Sequence, residues 1–337
     1  MEGEPTPQCA PGAAACELRH DFGELRLEAG ERIEDLCQSW TLNNPEELWV
    51  NQVGVRAGAA YHHATWVHVP NTLFDRPDGS WPCKEPHFEE RQAALRGGWL
   101  FVQSPQARTQ TLKLSEGAAV RIPPWSRVIG RTHLVNTETS TADANLRLSI
   151  TAIPRDAVKV KLTPFHFTYN DLRLPPNASA MFTGRCDFKT TFEAVAGGPF
   201  SFKIHHVLPH YHELGGLFGV NALDGTRDVR PIYTLVGAME AGGRTYDPPV
   251  DISQQSGLAF TCGYTNPHDR EVGWGPSGEM CVMLGFAESS MVFETEVAEG
   301  AGAVVGVEEE VVLHEGVCSV TGSPASQEQP GGAPPAK

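Results

Sequence analysis

The stretch His210-Tyr211-His212-Glu213-Leu214-Gly215 sets two imidazoles two residues apart. In a β-strand, side chains at i and i+2 share a face. If the alternating run Phe200-Ser201-Phe202-Lys203-Ile204-His205-His206-Val207 continues as a strand through this stretch, His210 and His212 point the same way and can converge on one metal ion. Two histidines do not complete a site, so other ligands must come from elsewhere in the chain. Among the thirteen histidines, His62 and His63 are adjacent and His133 stands in Arg131-Thr132-His133-Leu134-Val135-Asn136. Adjacent residues of a regular strand face opposite ways, so His62 and His63 share an ion only at a strand end, at a bulge or through different ring nitrogens. Taken singly, each of these reads more simply as a core or surface histidine. Met280, in Gly278-Glu279-Met280-Cys281, offers a thioether that alone reads as a core residue. His205 and His206 are expected on opposite faces of their strand, one toward the core and the other toward solvent.

The elements that must position these residues read as strands. Alternating runs at Leu112-Lys113-Leu114, Val120-Arg121-Ile122, Leu146 to Ile150 and Val158 to Leu162, then Phe165-His166-Phe167, are bounded by turn residues such as Pro123-Pro124 and Asn170-Asp171. This spacing predicts a β-sandwich. The pattern breaks near Leu174-Pro175-Pro176-Asn177, which reads as a linker. A second strand-rich region follows, with runs at 200–207, 229–236, 280–286, 291–297 and 310–314. Residues 85–95 fit either a short helix or a loop. The expected organisation is a disordered segment 1–21, β-sandwiches over 22–176 and 177–321, and a disordered low-complexity tail 322–337.

Composition narrows the function classes. A chain of 337 residues can hold one large or two ordinary domains. A net charge of −15 without a basic run excludes nucleic acid as the expected partner. No stretch approaches the roughly 18 apolar residues of a membrane span. Eight cysteines form no CxxC pair and read mainly as disulfides, which implies an oxidising compartment; free buried thiols are the alternative. The N-terminus has neither a basic nor an apolar signal region, so either a signal has been removed, the true start lies upstream, or the protein is cytosolic. Secreted or periplasmic is the favoured reading. Asn177-Ala178-Ser179 is a glycosylation sequon.

In order along the chain, a His-His pair, a single His followed by Asn136, an HxHxLG motif and a Met in GEMC resemble the copper type II, ascorbate-dependent monooxygenases, the family of peptidylglycine α-hydroxylating monooxygenase and dopamine β-monooxygenase. The resemblance spans about Asp35 to Val320. It implies an all-β fold of two jelly-roll-like β-sandwiches, with a copper site in each, facing an inter-domain cleft. Carried over, His62, His63 and His133 would hold one copper, which passes an electron. His210, His212 and Met280 would hold the other, where O2 binds, with ascorbate as the reductant. Imidazole suits copper, and a soft thioether favours Cu(I). The resemblance also implies a disulfide Cys37–Cys83 bracketing the histidine pair. Cys262–Cys281 would then pin the methionine strand and Cys186–Cys318 tie the ends of the second domain, leaving Cys9 with Cys16. Cys281 as a copper ligand is the less favoured alternative.

The chain departs from this family at the substrate anchors. Peptide-hydroxylating members carry an arginine two residues before HxH, where this chain has Leu208. Their asparagine and tyrosine after the methionine are Val282 and Leu284 here. An apolar wall leaves a buried carboxylate unpaired, at a cost of several kcal/mol by order of magnitude. Glycine-extended peptides are therefore not the expected substrate. Arg131 is as readily a surface residue as a cleft residue. Two function classes follow: a copper-dependent monooxygenase of unassigned substrate, or a non-catalytic copper-binding or ligand-binding β-sandwich protein that retains the ligands.

Overall fold

The computed structural model describes residues 15–74, 76–84, 87–104, 107–237 and 243–325. The chain is all-β, and the described residues include two short α-helices, Glu90–Arg96 and Lys189–Ala196. It divides into two compact units between Pro164 and Phe165, inside the strand Val160–Tyr169.

In the first unit one antiparallel sheet runs in the order Gly79–Pro82, Arg32–Thr41, Ser126–Val135, Tyr61–Pro70, Gly98–Val102. A second sheet runs Cys16–Asp21, Leu146–Ile153, Leu48–Ala57, Ala118–Ile122, and Thr109–Lys113 also pairs with Leu48–Ala57. The rings of His20 and Trp40, one from each sheet, stack at 5.2 Å. The helix Glu90–Arg96 begins where the Glu89 carboxylate accepts the Gln92 backbone N–H at 2.9 Å, an N-cap. It ends at Gly97, where a Cβ would stand 1.7 Å from the His68 carbonyl oxygen, so only glycine allows this approach.

In the second unit one sheet carries Val282–Glu288 between Lys203–His210 and the latter part of Val160–Tyr169, with Arg244–Asp251, Met291–Val297 and Ser319–Pro324 beyond. The other is six-stranded, in the order Arg227–Val236, Gly215–Asp224, Gly257–Asn266, Ala178–Asp187, Val311–Val317, Gly302–Glu308. The period-two pattern is plain in Ala178–Asp187, where Ala180, Phe182, Gly184 and Cys186 are buried and the residues between them half-buried. Phenylalanines from both sheets meet in one core: Phe167 lies 5.8 Å from Phe260, and Phe188, Phe202 and Phe293 pack together. Such aromatic contacts, tilted or edge-on, stabilise beyond their burial by about 0.5–1.5 kcal/mol each.

Three expected boundaries move. Cys16–Asp21, expected to be disordered, is a strand paired along its length with Leu146–Ile153, and it buries Leu18. The expected tail from Gly322 is ordered through Pro324, paired with Met291–Val297. The segment expected to be a linker at 174–177 is packed inside the second unit: Leu172 and Leu174 belong to its core, and Asn266 Nδ2 donates to the carbonyls of Leu174 and Pro175. Asn177 is the exposed turn after it. The uncertain segment 85–95 holds the helix from Glu90 onward.

Cys37–Cys83, Cys186–Cys318 and Cys262–Cys281 are disulfides, as the resemblance implied. Cys9, expected with Cys16, lies outside the described residues. Disulfides of this number belong to an oxidising environment. Among the described residues, no helix is long and apolar enough to cross a membrane.

Candidate metal centre

In the first unit His63 pairs directly with His133 across Tyr61–Pro70 and Ser126–Val135, and the next pair is Leu134 with Tyr61. His62 is therefore the extra residue of a β-bulge. A bulge is one of the few backbone devices that lets adjacent side chains lean to one side. His62, His63 and His133 each offer a ring nitrogen, and the three atoms lie within 4.8 Å of one another. The ring centroids are 5.0 to 5.3 Å apart, with interplanar angles of 69° to 87°. Rings this steep to one another converge on a point and do not stack. His63 and His133 are buried and His62 half-buried.

Burial favours the uncharged form of one of the three rings. Burial holds the His133 imidazole below its ordinary pKa, against the opposing pull of Glu34, whose Oε1 lies 3.9 Å from His133 Nε2. His133 Nε2 is buried without a hydrogen bond, and His133 Nδ1 stands 3.3 Å from His63 Nε2. Three ring nitrogens this close could hold a cation once the proton shared in that hydrogen bond is lost. Arg131, two residues before His133, lies 3.7 Å from Glu90 and 3.9 Å from Asp35. Glu90 also meets the Thr65 hydroxyl, and burial pushes its carboxyl up to about 7. Arg131 is thus tied into an acidic pair within its own unit.

In the second unit the strand Lys203–His210 ends at His210, so His212 lies in the turn beyond it and not on a continued strand. The two rings still approach to 5.3 Å at 85°. His210 pairs with Val282. Met280, two residues before Val282, is half-buried. The segment 278–280 is joined to the turn by three hydrogen bonds. His212 Nδ1 donates to the Gly278 carbonyl at 2.8 Å, which leaves Nε2 as the nitrogen with a lone pair. The Glu279 carboxylate accepts the backbone N–H of His212 at 2.8 Å and of Leu214 at 2.7 Å. Burial pushes the Glu279 carboxyl up to about 7, against the pull of those N–H groups and that of Met280. Tyr264 donates its hydroxyl to the Met280 carbonyl at 2.6 Å, and the next residue, Cys281, is bridged to Cys262. Gly215 closes the turn where a Cβ would stand 2.0 Å from the Tyr211 ring.

Glu279 and the Gly278 carbonyl were not singled out from sequence. The only sequence signal was an acid between the motif glycine and methionine, in a segment otherwise read for its sulfur. The expectation that one of His205 and His206 faces solvent is overturned. His205 is a second bulge, between the pairs of Ile204 and His206, and both histidines are buried while Ile204 and Val207 on either side enter the core. His206 Nδ1 shares a hydrogen bond of 2.8 Å with Thr245 Oγ1, and burial lowers its pKa to about 4. Leu208, Val282 and Leu284 are buried apolar residues.

No protein-family model and no curated protein matches the chain. Solved structures similar to it include a recombinant peptide:N-glycanase F, at 6% identity over 85% of this chain and 98% of that one, with a TM-score of 0.33. Another is the glycosylasparaginase PNGase F of Flavobacterium meningosepticum, at 6% identity over 80% and 97%, with a TM-score of 0.32. A protein of the Sulfolobus turreted icosahedral virus matches at 6% identity over 78% and 58%, with a TM-score of 0.22. Likenesses this faint carry nothing about function.

Proposed function

We propose that this protein is a copper-dependent monooxygenase that hydroxylates a substrate C–H bond with O2 and a reductant such as ascorbate. The observation that carries the reading is the convergence of His62, His63 and His133 within 4.8 Å in a bulge. Three imidazoles accept zinc as well as copper. The ordered resemblance of four motifs, and a thioether in the second ligand set, favour copper. His62, His63 and His133 would hold one ion, and His210, His212 and Met280 the other. Bound copper would supply one-electron redox chemistry and a place for O2.

The protein's own residues do the rest. The Gly278 carbonyl holds the His212 proton on Nδ1 and so presents Nε2. The Glu279 carboxylate and the Cys262–Cys281 bridge hold the methionine segment against the histidine turn. Burial keeps His133 neutral. Leu208, Val282 and Leu284 exclude water and favour an apolar substrate over a carboxylate. The disulfides fit a secreted or periplasmic protein.

Those three apolar residues also favour a second reading, a copper-binding β-sandwich protein without turnover, because they contain no group to anchor a substrate. Oxygen uptake separates the two. Copper-loaded protein given ascorbate and a panel of small amines, peptides and phenols should consume O2 only when a suitable substrate is present. Reduction without substrate-dependent uptake across the panel would leave the non-catalytic reading.

A further inference from the structure

We infer that Glu279 is the positioning residue that makes one metal-binding unit out of the turn 210–214 and the segment 278–281. This rests on the copper reading proposed above for His210, His212 and Met280.

Glu279 is a carboxylate with 1% of its surface exposed. Burying such a group is costly unless hydrogen bonds replace its water. Here each oxygen has its own donor in the histidine turn: Oε2 takes the His212 N–H and Oε1 the Leu214 N–H. Its backbone is held as firmly. The Glu279 N–H donates to the Gly273 carbonyl at 3.0 Å, and its carbonyl accepts the Gly275 N–H at 3.1 Å. Gly278, just before it, lies where a Cβ would be 2.1 Å from the Gly273 oxygen. Glu279 therefore cannot move without moving Met280, its neighbour, and it grips the backbone of His212 directly.

The consequence is geometric. The two ligand types lie 68 and 70 residues apart in the chain, and the Glu279 carboxylate and the Gly278 carbonyl fix His212 from the methionine's segment. An ion held by His212 and Met280 needs both at fixed separation, because a ligand free to swing contributes little affinity. Glutamine has the same shape but only one acceptor oxygen. Whichever way its amide turns, one backbone N–H meets an NH2 group and loses its partner.

The test uses the full-length chain carrying His133→Ala, which leaves only the second ligand set intact. Cu(I) affinity is measured anaerobically against a chromophoric chelator, and amide exchange at His212 and Leu214 is followed in the same preparations. Adding Glu279→Gln should weaken Cu(I) binding by about 10- to 100-fold and speed exchange at both amides. Glu279→Asp keeps the charge but is one methylene shorter, and it should fall between the two. It also serves if the glutamine variant does not fold. Faster exchange with affinity within twofold of the parent would overturn the positioning role while leaving the copper reading intact. If the His133→Ala chain binds no Cu(I) at all, the copper reading of the second set falls, and this inference falls with it.

Discussion

His206 gives the stability of the second unit a defined acid limb. Its ring is buried, one nitrogen is tied to Thr245 Oγ1, and Nε2 is buried without a hydrogen bond. Burial lowers its pKa from 6.5 to about 4. The unfolded chain therefore binds this proton more readily than the folded one between those values. The stability is fully present above about pH 6.5 and is lost as pH falls toward 4. Linkage over that interval gives about 3 kcal/mol lost between pH 7 and pH 4. His206→Leu removes the titration and the hydrogen bond to Thr245 Oγ1, at about 1 kcal/mol. The variant should be less stable than the parent at pH 7 by about 1 kcal/mol and more stable at pH 4 by about 2 kcal/mol. Urea unfolding at half-unit pH steps reads both. Parallel stability curves for parent and variant across pH 4 to 7 would refute the claim that His206 is buried neutral.

Two further outcomes follow from the second ligand set. Gly215→Ala puts a methyl where the Tyr211 ring already stands, and should cost about 1–3 kcal/mol of stability by overpacking, read by thermal or urea unfolding. Met280→Ile keeps the bulk of the side chain but removes the sulfur; it should abolish substrate-dependent O2 uptake while leaving one copper bound per chain, and surviving uptake would remove Met280 from the oxygen site.

Apolar alternation made some strands legible: Met291–Val297 was expected with the bounds it has, whereas Ala178–Asp187, which alternates as plainly, was not singled out. Cys16–Asp21 was hidden because it contributes only Leu18 to a core and otherwise reads as polar. Leu172 and Leu174 were hidden by Pro175-Pro176, which marks a turn equally well in a linker and in a packed segment. The candidate ligands were legible as residue types in order. What joins them was not. A bulge at His62 or His205 is a property of backbone register and leaves no mark in side-chain alternation. Glu279 works by accepting two backbone N–H groups, and backbone donors have no sequence signal at all.

The central claim is that His62, His63 and His133 hold copper. Metal analysis after loading with Cu(II), with zinc offered in equal amount, and removal of excess tests it most directly. The account predicts two coppers per chain, falling to one in His133→Ala, with zinc displaced. An unchanged count in His133→Ala, a chain that retains zinc in place of copper, or a parent that binds neither would contradict it.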